Sequence, residues 1–103
     1  MAPQLTIGYS PCPNDTFTFY ALTHGHIPLR YIHFAPPLLE DVETLNTLAI
    51  NTKLDVTKLS FHALAHVQDS YTMLHAGAAL GRGCGPLLVT KPDQKTAPPT
   101  WRI

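Results

Sequence analysis

A chain of 103 residues with 45 % hydrophobic and 14 % charged side chains has the composition of one small, soluble, globular domain rather than a disordered segment. Seven basic and seven acidic residues cancel, so the basic footprint that nucleic-acid binding requires is missing. No apolar run approaches the roughly 20 residues that cross a bilayer. Met1-Ala2-Pro3-Gln4 has no secretory pattern, and two cysteines, Cys12 and Cys84, are too few for a disulfide framework. A cytoplasmic protein with reduced thiols and no membrane partner is expected.

Residues 5–9, Leu-Thr-Ile-Gly-Tyr, alternate apolar positions and predict a short strand. Turn formers at 10–15 end it and offer helix caps. A helix follows over 16–24, closed by Gly25, with apolar residues on more than one face, as in a helix covered on most sides. Residues 31–35 predict a second strand, left through Pro36-Pro37. From 40 to 50, Val42, Leu45, Leu48 and Ala49 form one stripe, with Glu40, Asp41 and Glu43 in the dipole-favoured first turn. A third strand is expected over 54–59, and Ser60 is a natural N-cap for a helix from 61 to about 69. Two more strands are expected at 71–75 and 86–90, either side of the glycine-rich stretch 77–85. This α/β alternation predicts a mostly parallel sheet flanked by helices. Ligands of such sheets sit beyond the carboxyl ends of the strands, which nominates 10–15, 57–60 and 81–86.

Ser10-Pro11-Cys12-Pro13-Asn14-Asp15 is a proline-braced turn ahead of a helix. It can aim free backbone N–H groups at an anion, or Asn14 or Asp15 can cap those groups instead. A helix N-terminus also favours a reactive Cys12 thiolate, but no histidine has a spacing that marks it as a partner. Thr57-Lys58-Leu59-Ser60 joins a cation, two hydroxyls and a helix start, which suits a ligand carboxylate. A solvated Lys58 and a merely capping Ser60 are the alternative. His62 and His66 share a helix face, yet a zinc site needs three or four ligands, so ordinary surface histidines are expected and no metal or redox cofactor. The stretch Gly81-Arg82-Gly83-Cys84-Gly85-Pro86 matches neither a Walker loop nor a dinucleotide fingerprint. Arg82 can pair with a carboxylate or stand exposed in a turn.

Four blocks occur in order: Ser10-Pro11-Cys12-Pro13-Asn14-Asp15-Thr16-Phe17, Leu39-Glu40-Asp41-Val42-Glu43-Thr44-Leu45-Asn46, Thr57-Lys58-Leu59-Ser60, and Gly77-Ala78-Ala79-Leu80-Gly81-Arg82-Gly83. Together they closely resemble the 1,4-dihydroxy-6-naphthoate synthase family of the futalosine route to menaquinone. The resemblance covers about residues 5–91. It implies a lyase acting on a small molecule, cyclic dehypoxanthinylfutalosine, in a cleft between the two α/β lobes of a type II periplasmic-binding-protein-like fold. It also implies that Lys58, Leu59 and Ser60 bind substrate, and that Ser10, Asn14, Asp15, Arg82 and Gly83 line the same cleft. The family's proton-abstracting histidine matches none of the six present, so no catalytic residue is assigned.

Family members are more than twice this length. The expected organisation is therefore a partial first lobe over 1–91, carrying half the cleft, then a linker and the start of a missing second lobe over 92–103. Such a piece is expected to be inactive alone. Chorismate dehydratase of the same pathway and a non-catalytic solute-binding domain of the same fold are the competing readings. The blocks at 39–46 and 57–60 favour the synthase.

Overall fold

A computed structural model describes residues 2–85, together with 87, 89 and 91–93. Among the described residues, five short strands and three helices follow one another: β1 (Gln4–Leu5), β2 (Ile7–Tyr9), α1 (Pro13–Thr23), β3 (His33–Phe34), β4 (Leu38–Leu39), α2 (Val42–Ile50), β5 (Val56–Thr57) and α3 (Phe61–His66). Every strand pairing is parallel, as the α/β alternation predicts. β1 pairs with β3, and β2 is the centre of a three-stranded sheet in the order β4-β2-β5.

The strand expected over 5–9 is split at Thr6. Both the amide and the hydroxyl of Thr6 donate to Asp55 Oδ2 at 2.8 Å, and the Asp55 amide donates back to Thr6 Oγ1 at 2.9 Å. A side chain thus takes the place of a ladder partner. The strand expected over 31–35 is shortened to β3, and a further strand, β4, which the sequence did not lead us to expect, follows the two prolines. Pro36 and Pro37 have no N–H to give a ladder, and pairing resumes beyond them, where Gly8 and Tyr9 oppose Leu38 and Leu39.

α1 begins at Pro13, three residues earlier than expected, because a proline at the first helical position has its φ already set and loses no hydrogen bond. Its end matches expectation. Gly25 adopts φ +72° and the His26 amide donates back to the Ala21 carbonyl at 2.9 Å, the Schellman arrangement. The covering expected around α1 is not found among the described residues. Asp15 is its only buried residue, while Phe17 is 86 % exposed.

α2 has the expected stripe, burying Leu45 and Ala49. Asp41 precedes it, and the Thr44 hydroxyl that donates to its carboxylate holds that carboxyl below the usual range. α3 starts after Ser60 as expected but stops at His66. A turn follows in which the Ser70 and Tyr71 amides both donate to the Val67 carbonyl. That turn removes the strand expected at 71–75: Tyr71 instead sends its hydroxyl to the Leu54 carbonyl. The strand expected over 86–90 and the linker and second-lobe start expected over 92–103 fall largely outside the described residues.

The core is Ile7, Tyr9, Leu45, Ala49, Ala63 and Val67, gathered from β2, α2 and α3 with Val67 just beyond. Tyr9 is further held by Phe19, whose ring stacks on it at 4.7 Å. Gly8 lies between these elements. A Cβ there would come within 2.6 Å of Leu54 Cδ1 and 3.1 Å of Leu45 Cδ2.

Two outcomes follow from this packing. Gly8→Val should destabilise the chain by about 1–3 kcal/mol through overpacking, read as a lower denaturant midpoint; an unchanged midpoint would show that α2 does not bear on β2. The amide and then the hydroxyl of Thr6 hold the Asp55 carboxyl below its ordinary 3.8. A depressed carboxyl stabilises the fold above the ordinary value and loses that contribution as pH falls through the lowered one. Asp55→Asn should therefore give a shallower loss of stability as pH falls from the ordinary value through the lowered one, measured by unfolding at a series of pH values.

Candidate functional site

Because β4, β2 and β5 run parallel, their carboxyl ends lie on one edge, and three segments leave that edge together. The amides of the first residues past β4 and β5 are tied to the central strand: Glu40 N–H donates to the Tyr9 carbonyl at 3.2 Å and Lys58 N–H to the Gly8 carbonyl at 2.9 Å. After β2 the chain adds β4 on one side and β5 on the other. The change of direction lies between β2 and β5, the place where open α/β sheets hold ligands.

An ion pair spans that gap. Asp15, from the first turn of α1, accepts from Lys58 Nζ at 3.3 Å through Oδ1 and from the Ser10 amide at 3.0 Å through Oδ2. The Asp15 side chain is 7 % exposed and that of Lys58 29 %. Neither Asn14 nor Asp15 caps α1, contrary to the capping alternative. Cys12 occupies the N-cap position and no side chain bonds to the helix amides there. Ser10 accepts from the Cys12 amide at 3.0 Å, and the Ser10 hydroxyl, with the Asp15 amide, holds the exposed Cys12 thiol below its ordinary value.

Ser60 caps α3 by accepting from the Ala63 amide at 3.1 Å. Asn46 of α2 reaches it as well, donating Nδ2 to Ser60 Oγ at 3.2 Å while its Oδ1 accepts from the Ser60 amide at 3.1 Å. Two donors thus occupy the acceptor positions of the Ser60 hydroxyl, which leaves its proton free to donate. Asn46 escaped the sequence reading as a site residue. The signal was present in the 39–46 block, but its partner lies 14 residues away.

A cavity of about 700 Å³ opens over this region. Lys58 and Ser60 contribute polar groups to its wall, and Leu59, Phe61, Leu64 and Met73 contribute apolar ones. Gly77 to Ala79, the first part of the glycine-rich stretch, also bound it. Ser10, Asn14, Asp15, Arg82 and Gly83 lie outside this wall. Arg82 is exposed, and Gly83 takes φ +64° in the left-handed region. His62 and His66 are exposed, with Nε2 atoms 3.3 Å apart. Among the described residues no group of three or more histidine, cysteine or acidic side chains is placed to hold a metal ion. No helix there is long and apolar enough to cross a membrane.

Apolar walls with a lysine and several hydroxyl side chains, those of Thr57, Ser60, Ser70 and Thr72 among them, suit an aromatic or otherwise apolar molecule that carries a carboxylate; Asp55 also lines the wall, but its carboxylate is engaged by Thr6. The capping role of Ser60 sets a measurable expectation. Ser60→Ala should lower stability by about 1 kcal/mol, seen by thermal or denaturant unfolding, and Ser60→Thr, which keeps the acceptor, should recover most of it. Equal stability in all three chains would mean that Ser60 does not cap α3.

Comparison with known proteins bears on what the site belongs to. The chain is 54 % identical over 91 residues to a 1,4-dihydroxy-6-naphtoate synthase of Thermus thermophilus, a match covering 84 % of this chain and 31 % of the relative. It is 47 % identical over 93 residues to a protein of the same name from Streptomyces coelicolor, covering 87 % of this chain and 31 % of that relative. The chain therefore spans about a third of the length of the curated relatives it matches. A sequence model described as menaquinone biosynthesis matches residues 5–100, which include every element of the fold after Gln4 and the whole of the site. By that match the chain belongs to the menaquinone-biosynthesis family.

Proposed function

We propose that the chain forms one wall of the substrate cleft of a 1,4-dihydroxy-6-naphthoate synthase, a lyase that converts cyclic dehypoxanthinylfutalosine to 1,4-dihydroxy-6-naphthoate in the cytoplasm. The observation that carries the reading is the joining of Lys58, Leu59 and Ser60 to an apolar cavity at the switch between β2 and β5. Lys58 supplies the cation for a substrate carboxylate and Ser60 a hydroxyl donor, while Leu59 and its apolar neighbours pack against the ring system. The names of both relatives support the choice of reaction.

In this proposal residues 1–91 are part of the first lobe of a type II periplasmic-binding-protein-like enzyme, and 92–103 lead toward the second. Ser10, Asn14, Asp15, Arg82 and Gly83 belong to the cleft's wider surround. The family resemblance implies that the proton-abstracting base comes from the second lobe, and such a base must stand within hydrogen-bond reach of its target, about 2.6–3.2 Å, or one water away. Two walls are also needed to exclude water and orient the substrate.

The test mixes the purified chain with cyclic dehypoxanthinylfutalosine and follows the naphthoate product, with and without a separately expressed second-lobe fragment of a relative. Turnover is expected only with both parts present. Lys58→Ala and Ser60→Ala should each lower kcat/KM of the assembled enzyme, by roughly tenfold for a hydrogen bond to a charged group. Unchanged kcat/KM in both variants would overturn the assignment of the cleft. Turnover by the 103 residues alone would overturn the division of labour.

A further inference from the structure

Asp15 is the one buried charged or polar residue among those described, and the proposed function gives it no task. We infer that Asp15 is a positioning residue: it fixes the Lys58 ammonium at the cavity wall so that the remaining N–H groups meet a ligand carboxylate. The inference rests on the reading of the cleft above.

The placement of the two partners is what points to this role. Lys58 lines the cavity and Asp15 does not, although their side chains meet at 3.3 Å. The carboxylate therefore reaches the ammonium from a residue outside the cavity lining. A lysine carries three donors on a flexible four-carbon stem. Asp15 takes one of them, which leaves two for the cavity side.

Both ends of this support are themselves anchored. The Lys58 backbone is tied to the Gly8 carbonyl at 2.9 Å, so its stem starts from a fixed point beside the central strand. Asp15 is held by the Ser10 amide at 3.0 Å, and Ser10 in turn accepts from the Cys12 amide. Holding a long side chain in its bound geometry before the ligand arrives removes an ordering cost from binding. Charge makes Asp15 more than a spacer. An ammonium facing an apolar cavity is accommodated more readily when a carboxylate lies against it.

The first measurement needs no substitution. In the unaltered chain, ¹³C relaxation at the lysine Cε positions should show Lys58 well ordered and Lys53, which is exposed, mobile. Equal mobility of the two would overturn the inference. The second is a double-substitution cycle read by ligand-observed NMR, with 1,4-dihydroxy-6-naphthoate as the probe. Asp15→Asn keeps an acceptor for the Ser10 amide but removes the charge. It should loosen Lys58 to the level of Lys53 and weaken probe binding roughly tenfold.

In a Lys58→Met background the same Asp15→Asn change should have no further effect on affinity, because its effect passes through Lys58. Weakening by the same factor in that background would make Asp15 a purely structural residue and overturn the inference. Probe binding that Lys58→Met weakens but Asp15→Asn does not would also overturn it, while leaving the cleft intact. If Lys58→Met leaves binding unchanged, the cleft assignment itself fails and the inference with it.

Discussion

A strand bonded on both edges can lie close beneath a helix only where no side chain rises between them, and Gly8 provides that opening. It opposes Leu38 on one side and Thr57 on the other, while Leu45 and Leu54 close over it. Its carbonyl also receives the Lys58 amide. Pairing, helix packing and the placement of the cation in the site thus meet at one residue without a side chain. A shift of β5 relative to Gly8 would carry Lys58 away from Asp15 and Ser60 away from Asn46. The polar contacts of the site are therefore set by register, and the register is set by close packing around the central strand.

What was legible in the sequence was what is local. The stripe of α2, the Ser60 cap and the Gly25 stop each depend on residues within one or two turns, and each stands where its pattern places it. Parallel pairing followed from the alternation of elements. The contacts that join these parts were not legible, because nothing in a local window marks them. Asp15 finds Lys58 across 43 residues, and Asn46 finds Ser60 across 14. The same limit explains the errors in strand bounds. Thr6 gives its amide to a distant carboxylate, and β4 resumes a ladder on the far side of two prolines that read as an exit.

The molecule is unevenly finished. Leu45 and Ala49 are fully buried, so α2 is packed as tightly as any core helix, whereas α1 shows Phe17 and Tyr20 to solvent. The amphipathic pattern is satisfied where the elements come from this stretch of chain. It is unsatisfied on α1, whose apolar residues point in several directions. The site inherits this unevenness: its polar anchors are mutually bonded and at least half-buried, while Phe61 and Met73 on its apolar wall stay largely exposed.

The separation of 49 residues between Thr6 and Asp55 also bears on the order in which the chain can be built. The central strand leaves the ribosome ahead of α1, β4 and α2, yet its partner at Thr6 and Ile7 is made only after they have emerged. Until β5 is synthesised, one edge of β2 has no ladder, and the cavity has no floor. Short helices with local contacts form early and cheaply, while parallel pairing must wait for distant segments and then bear the cost of closing the loop. A strand made early is thus completed late. The nascent chain must carry an open sheet edge while the 49 residues between Thr6 and Asp55 are made, the interval in which such an edge is most exposed to wrong partners.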